Sequence, residues 1–332
     1  MRKFLLLLVV CAFFMPNVIL AQKVKKETVG IYSYTQLPSD TRLKECKTYK
    51  VYPYGDINSY EKDKINDVFK LPGFEKKSRD AGNTDFVIKV EKYQVNIDKP
   101  EKGSREEKVK NKDGTERKVK YYYYESKATY KFKIGVYKGE EEVYYKILSG
   151  DDNVRGSESS SSSTAYENYK KARSSYLSNL SKSKLSSVDN ALKEKFCYLK
   201  KSVYLRSAHI KPKKYKYDDY EAAYEKMKNG YLVLKENENA IDEVKDDLTK
   251  AIEEYKTILK ESDINNKKAR VNNKVTTLLY VNIAHCYFLM KDYAKASEYY
   301  GMAAQLHTNF LYCGAMKKLA VKLNKRVEAN KA

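Results

Sequence analysis

Tryptophan is absent from the 332 residues, and histidine, proline and cysteine are sparse, with three, six and five copies. Catalysis by base and nucleophile needs side chains that converge within hydrogen-bond reach. His209, His285 and His307 stand in no recognisable motif, and Ser159 to Ser163 have no histidine near them in sequence. Carboxylates are abundant, but they fall mostly on segments that read as solvated helices, so no glycosidase pair stands out. The chain is therefore not expected to be an enzyme. Cys46, Cys197, Cys286 and Cys313 lie too far apart for a dense disulfide framework or a close set of metal ligands. No metal and no cofactor is expected. Cys286 and Cys313 either bridge where their helices pack or remain buried thiols that act as small hydrophobes.

Long apolar runs are missing too, apart from Phe4 to Phe14, which follows Arg2 and Lys3 and is broken by Pro16. That run is short of the roughly 20 residues a membrane-spanning helix needs. It reads as a secretory signal peptide, 1–21, cleaved after Ala21. The expected location is the periplasm, the cell envelope or the medium, with no transmembrane span in the mature chain. Cleavage removes Arg2 and Lys3 and takes the formal charge from +21 to +19. The charge is unevenly laid out. Residues 170–216 carry 14 Lys or Arg against Asp189 and Glu194, whereas 217–263 carry 14 acids against seven lysines. Either the two segments face each other within the molecule, or the basic one meets an anionic partner.

Periodicity divides the chain, and the fold class it implies is α+β. Residues 23–211 read as a mixed strand and helix domain. "ATYKFKIGVY" alternates Tyr130, Phe132, Ile134 and Val136 with Lys131, Lys133 and Gly135, which gives a strand with one apolar face. "TDFVIKVEKYQV" and "EEVYYKIL" are further strands, the latter joined to the first by a turn at Gly139 as an antiparallel hairpin. "VGIYSYTQL" and "KTYKVYPY" precede them, with a helix near 61–69. The polar stretch 98–118, with an Asp113-Gly114 turn, reads as a protruding hairpin loop. Tyr121 to Tyr124 follow it, and cross-strand packing is the preferred reading over base stacking, which export also opposes. Residues 156–164 read as a serine-rich loop leading into a weakly amphipathic helix. Ser187 is a candidate cap for a helix through Phe196, and 198–210 reads as a final strand, with one continuous helix as the alternative.

Beyond Tyr217, over 217–328, proline disappears and apolar residues recur at three and four. "DDYEAAYEKMKNGYLVLKEN" pairs with "AIDEVKDDLTKAIEEYKTILKES". A helix from about Lys274 to Met290 pairs with one that starts after Lys291-Asp292. A further helix is expected from "FLYCGAMKKLAVKL". Ala284 and Ala296 allow close approach of backbones, Ala303 admits the next helix, and Tyr287, Tyr293 and Tyr300 fill the space around them.

Ile283-Ala284, Tyr287, Ala296, Tyr300 and Ala303, with Tyr293 at the turn, resemble the tetratricopeptide repeat. In the preceding pair only Ala251, Tyr255 and Ile258 fit, and the spacing from Ala251 to Ala296 calls for an extended connection. The resemblance implies a helical array without chemistry of its own, whose groove takes a peptide or protein segment. It implies that Leu278, Val281, His285 and Leu289 line that groove, unless they pack against the first domain instead. Val281 and His285 do not suit carboxylate capture. The expected function is that of an exported interaction scaffold or adaptor. The alternative is a binder of an anionic envelope glycan or lipid through the basic segment 193–216.

Overall fold

A computed structural model describes residues 23–55, 57–211 and 215–331. The expected signal peptide, 1–21, and Pro212 to Lys214 of the basic segment lie outside the described residues. In chain order the elements are β1 (Lys23–Gln36), β2 (Thr48–Gly55), α1 (Ser59–Val68), β3 (Glu75–Lys76), β4 (Phe86–Ile97), β5 (Glu101–Lys110), β6 (Glu116–Lys138), β7 (Glu141–Arg155), α2 (Ser162–Phe196) and β8 (Leu199–Lys211). Then come α3 (Asp218–Glu236), α4 (Ile241–Leu259), α5 (Asn273–Leu289), α6 (Tyr293–Leu306), a short 3-10 turn (Phe310–Tyr312) and α7 (Cys313–Lys331). The fold is α+β, with strands first and helices after. No helix among the described residues is long and apolar enough to cross a membrane.

The chain forms two compact units, one made of residues 37–199 and the other of the residues before Leu37 together with those from Lys200 on. This corrects the expected boundary near residue 211. β1 and β8 belong with the helices, so the sheet unit is an insertion between two paired strands of the helical unit. Alternation shows that a strand buries one face but not what covers it. Here Tyr32 and Tyr34 of β1, and Leu205, Ala208 and Ile210 of β8, are buried in the same core as α3 to α7.

In the sheet unit the strand order is β3-β2-β4-β6-β5, with β7 on β6 as well. β2 and β4 run parallel, which requires a crossover, and α1 supplies it. The 23-residue β6 is the spine: β4 pairs antiparallel with its second half and β5 with its first, while β7 pairs with 125–138. Gly139 makes the β6–β7 turn with φ 59°, a left-handed conformation that glycine adopts without strain. The expected loop at 98–118 is instead the ribbon of β5 and the start of β6, closed by a turn whose Thr115 amide donates to Asp113. Almost every residue of β5 is exposed, so hydrophobic alternation gave no sign of it. The apolar face of the sheet, with Phe86, Ile88, Val90, Phe132, Ile134 and Val136, is covered by Ile65 and Phe69 and by Leu180, Leu185, Val188, Leu192 and Phe196 of α2.

The serine-rich segment does not stay irregular through residue 164. Ser161 caps α2, accepting from the Thr164 amide, and the helix continues unbroken to Phe196. Ser187 is therefore interior and caps nothing. Its hydroxyl donates to the carbonyl of Lys184, as Ser183 does to Leu180 and Ser186 to Lys182. Such back-bonding satisfies serine inside a helix. The segment after it is strand β8, and a single long helix through 210 is ruled out.

All four described cysteines are buried free thiols, so Cys286 and Cys313 do not bridge. Burial pushes the Cys197 thiol up to about 12 and raises those of Cys46, Cys286 and Cys313. Raised thiols in apolar surroundings are poor nucleophiles. The folded chain from Gln22 onward is therefore expected to react negligibly with Ellman's reagent, and the same chain denatured to release four equivalents. Fewer than four would reveal a bridge.

Candidate functional site

The helical unit is built in pairs. α3 turns into α4 through Asn237, and α5 turns into α6 through Lys291, whose φ of 61° completes a tight reversal. Asn272 caps α5, accepting from the amides of Lys274 and Val275, and Asp292 caps α6, accepting from that of Lys295. α5 is apolar nearly all round, as a helix must be when neighbours enclose it. Ile283, Ala284, Ala296, Tyr300 and Ala303 are completely buried, and Tyr287 and Tyr293 nearly so. Tyr287 stacks on Tyr299 at 5.5 Å between centroids, and Tyr293 meets the edge of Phe288 at 5.3 Å. Between α4 and α5 the extended connection is tied down: Arg270 pairs with Asp219 and Glu261, and Tyr217 donates to its carbonyl at 2.7 Å.

Leu278, Val281, His285 and Leu289 do not line an open groove. All four are buried, at 0 to 1% exposure. The face formed by α3 and α5, the first helix of each pair, is filled by the chain's own strands. Tyr231 and Tyr220 of α3 donate to the carbonyls of Ile31 and Ala208. On α5, Phe288 takes Tyr32 and Tyr34 edge-on at 6.2 and 6.1 Å. Asn282 is the hub of the buried polar contacts. Its amide donates to the hydroxyls of Tyr220 (3.1 Å) and Tyr255 (3.2 Å), and its oxygen accepts from Ser207 of β8 (2.7 Å).

His285 sits in the same layer. Its Nε2 donates to the Arg206 carbonyl at 2.8 Å, which leaves Nδ1 to accept from Tyr300 at 2.5 Å. Both nitrogens are thus used by a neutral ring, and burial lowers its pKa from 6.5 to about 4. This histidine holds a strand rather than a ligand. At the far end of the pair Glu238 accepts from the amide and hydroxyl of Thr35 (2.8 and 2.6 Å) and pairs with Lys200. Burial alone would raise Glu238, but Lys200 and Thr35 outweigh it and hold the carboxyl below its usual value. Contacts of Glu27 with His209, of Ser33 with Ser202, and of both Thr35 and Lys200 with Glu238 run in opposite directions along the two strands, as in an antiparallel pair.

Part of the basic segment is paired within its own unit. Lys193, Lys195 and Lys200 pair with Asp189, Asp40 and Glu238, and the segment is divided between the two units. Arg105 lies 5.3 Å over Tyr121, Lys102 4.5 Å over Tyr122 and Arg155 of β7 3.5 Å over Tyr123, so three of the four consecutive tyrosines carry cations of their own unit. Among the described residues no group of three or more His, Cys, Asp or Glu is placed to hold a metal. Sequence reading missed Asn282 and Ser207: a buried Asn on an apolar helix was the available signal, but its partners come from elements 27 to 75 residues away. Compared with known proteins, the chain matches no family model and no curated sequence.

Two outcomes are expected. The neutral folded His285 binds fewer protons than its unfolded counterpart between pH 6.5 and about 4, so its contribution to stability is lost as pH falls through that window. Guanidinium unfolding at pH 7 and 5 should show the wild type losing roughly 2 kcal/mol more than His285→Gln. Equal losses would contradict the assignment. Separately, Ala296→Leu should cost at least about 1–3 kcal/mol by overpacking the α5–α6 contact, read from the denaturation midpoint. An unchanged midpoint would contradict close packing there.

Proposed function

We propose that the protein is an exported, non-enzymatic interaction scaffold whose α3 to α7 region is a tetratricopeptide-like array. The observation that supports this reading is the way the inner face of the array holds extended backbone: side chains of α3 and α5 donate to three strand carbonyls, those of Ile31, Arg206 and Ala208. Helical arrays offer an extended inner surface of this kind for binding, used here on the chain's own strands. The partner is another protein, and it docks on the exposed surface of the helices and of β8. Exposed apolar side chains are available there, with Tyr204 57%, Leu232 46% and Val321 38% exposed.

The buried cysteines and the neutral, doubly bonded His285 fit a role without covalent chemistry. Export would present the mature chain from Gln22 onward. Photo-crosslinking residues placed singly at 204, 232 and 321 in producing cells are expected to trap a discrete protein adduct from at least one site. Amino-terminal sequencing of the recovered chain should begin at Gln22. Absence of adducts from all three positions would contradict the scaffold reading, and an intact Met1 would contradict export.

A further inference from the structure

The amino-terminal half of β1, residue 206 of β8 and the 3-10 turn before α7 enclose a cavity of about 450 Å³, lined by Lys26, Glu27, Thr28, Arg206, Asn309, Leu311 and Tyr312. The size suits a small ligand. Arg206 is half-buried, and its guanidinium carbon lies over the Tyr312 ring, 4.1 Å from its centroid. No described carboxylate pairs with it, and none pairs with Lys26, whose ammonium lies over the Phe310 ring at 5.4 Å. A guanidinium held by stacking keeps its edge N–H groups free, in the planar fork that grips a carboxylate or phosphate oxygen pair.

The backbone adds a second, independent sign. Leu311 and Tyr312 are consecutive non-glycine residues in the left-handed region, with φ 49° and 61°. That conformation costs about 1–2 kcal/mol per residue. It sends Leu311 into the core and leaves Tyr312 56% exposed at the rim of the cavity, with Arg206 on its ring. Strain of this kind accumulates where a ligand is clamped. The one acid in the wall, Glu27, is engaged by His209 at 2.8 Å and by the Tyr224 hydroxyl. Two cations against one acid leave a single positive charge, matched to a single negative one.

We infer that this cavity binds a singly charged oxyanion, a carboxylate or a phosphodiester on a small polar carrier, with Arg206 and Lys26 on the oxyanion and Tyr312, Asn309 and Thr28 against the carrier. The inference does not rest on the scaffold reading, and the crosslinking result and this one can fail separately. The test titrates the mature protein with sodium glucuronate, with dimethyl phosphate and, as the neutral control, with glucose, by ligand-observed NMR. Saturable binding of glucuronate or of dimethyl phosphate is expected, and which of them binds tells a carboxylate source from a phosphodiester one. Arg206→Gln should weaken that binding at least about tenfold, with the circular dichroism melt confirming a folded variant. Should Arg206→Gln not fold, Lys26→Gln, at an exposed position, serves in its place and should also weaken binding. Tyr312→Asn, which tolerates the left-handed backbone, should keep the melting temperature while losing affinity. Binding of neither anion, binding of glucose as tight as that of the anions, or affinity unchanged by Arg206→Gln or, where that variant does not fold, by Lys26→Gln would overturn the inference.

Discussion

The helical unit depends on one constraint: the inner face of α3 and α5 is covered by the strand pair β1–β8. Without it Phe288 would lose the rings of Tyr32 and Tyr34, and Asn282 would lose the hydrogen bond from the Ser207 hydroxyl. With it, one continuous core runs from Tyr32 to Leu323. The strands are fixed by polar contacts as well as by burial, and a buried polar layer of this kind sets register, because each donor has one acceptor within reach. The same constraint dictates the chain path. β1 and β8 meet only if the whole sheet unit is looped out between them, so that unit is an insertion and not a leading domain.

Much of the fold was legible in the sequence. The helix pairs beyond residue 217 follow from apolar spacing and the absence of proline, and their observed ends agree closely with the reading. The strands around Phe132 and Val143 follow from period-two alternation, and β8 from the alternation before Pro212. What escaped was of two kinds. β5 and the interior of α2 are polar, and their regularity comes from pairing with β6 and from serine back-bonding, which leave no hydrophobic trace. The assignment of β1 and β8 to the helices escaped because alternation is blind to the partner surface. The groove positions illustrate this limit: the tetratricopeptide resemblance implied that Leu278, Val281, His285 and Leu289 lie on the inner face, but it could not say that Tyr32 and Leu205, far away in sequence, are buried in the same core.

The charge asymmetry resolves locally. Lysines of the basic segment pair chiefly with acids of their own unit, as Lys184 does with Asp152 and Lys195 with Asp40, and links such as Lys200 to Glu238 and Arg270 to Asp219 tie acidic helices to neighbouring basic residues. Exposed pairs of this sort contribute little stability each.

Native-state hydrogen exchange tests the central claim most directly. If the strand pair is part of the helical core, the amides of Val203 to Ile210 open only with global unfolding, at the same free energy as those of α5. Exchange of β8 at a much lower opening free energy, while α5 stays protected, would contradict the account, because the inner face would then be stable without its strands.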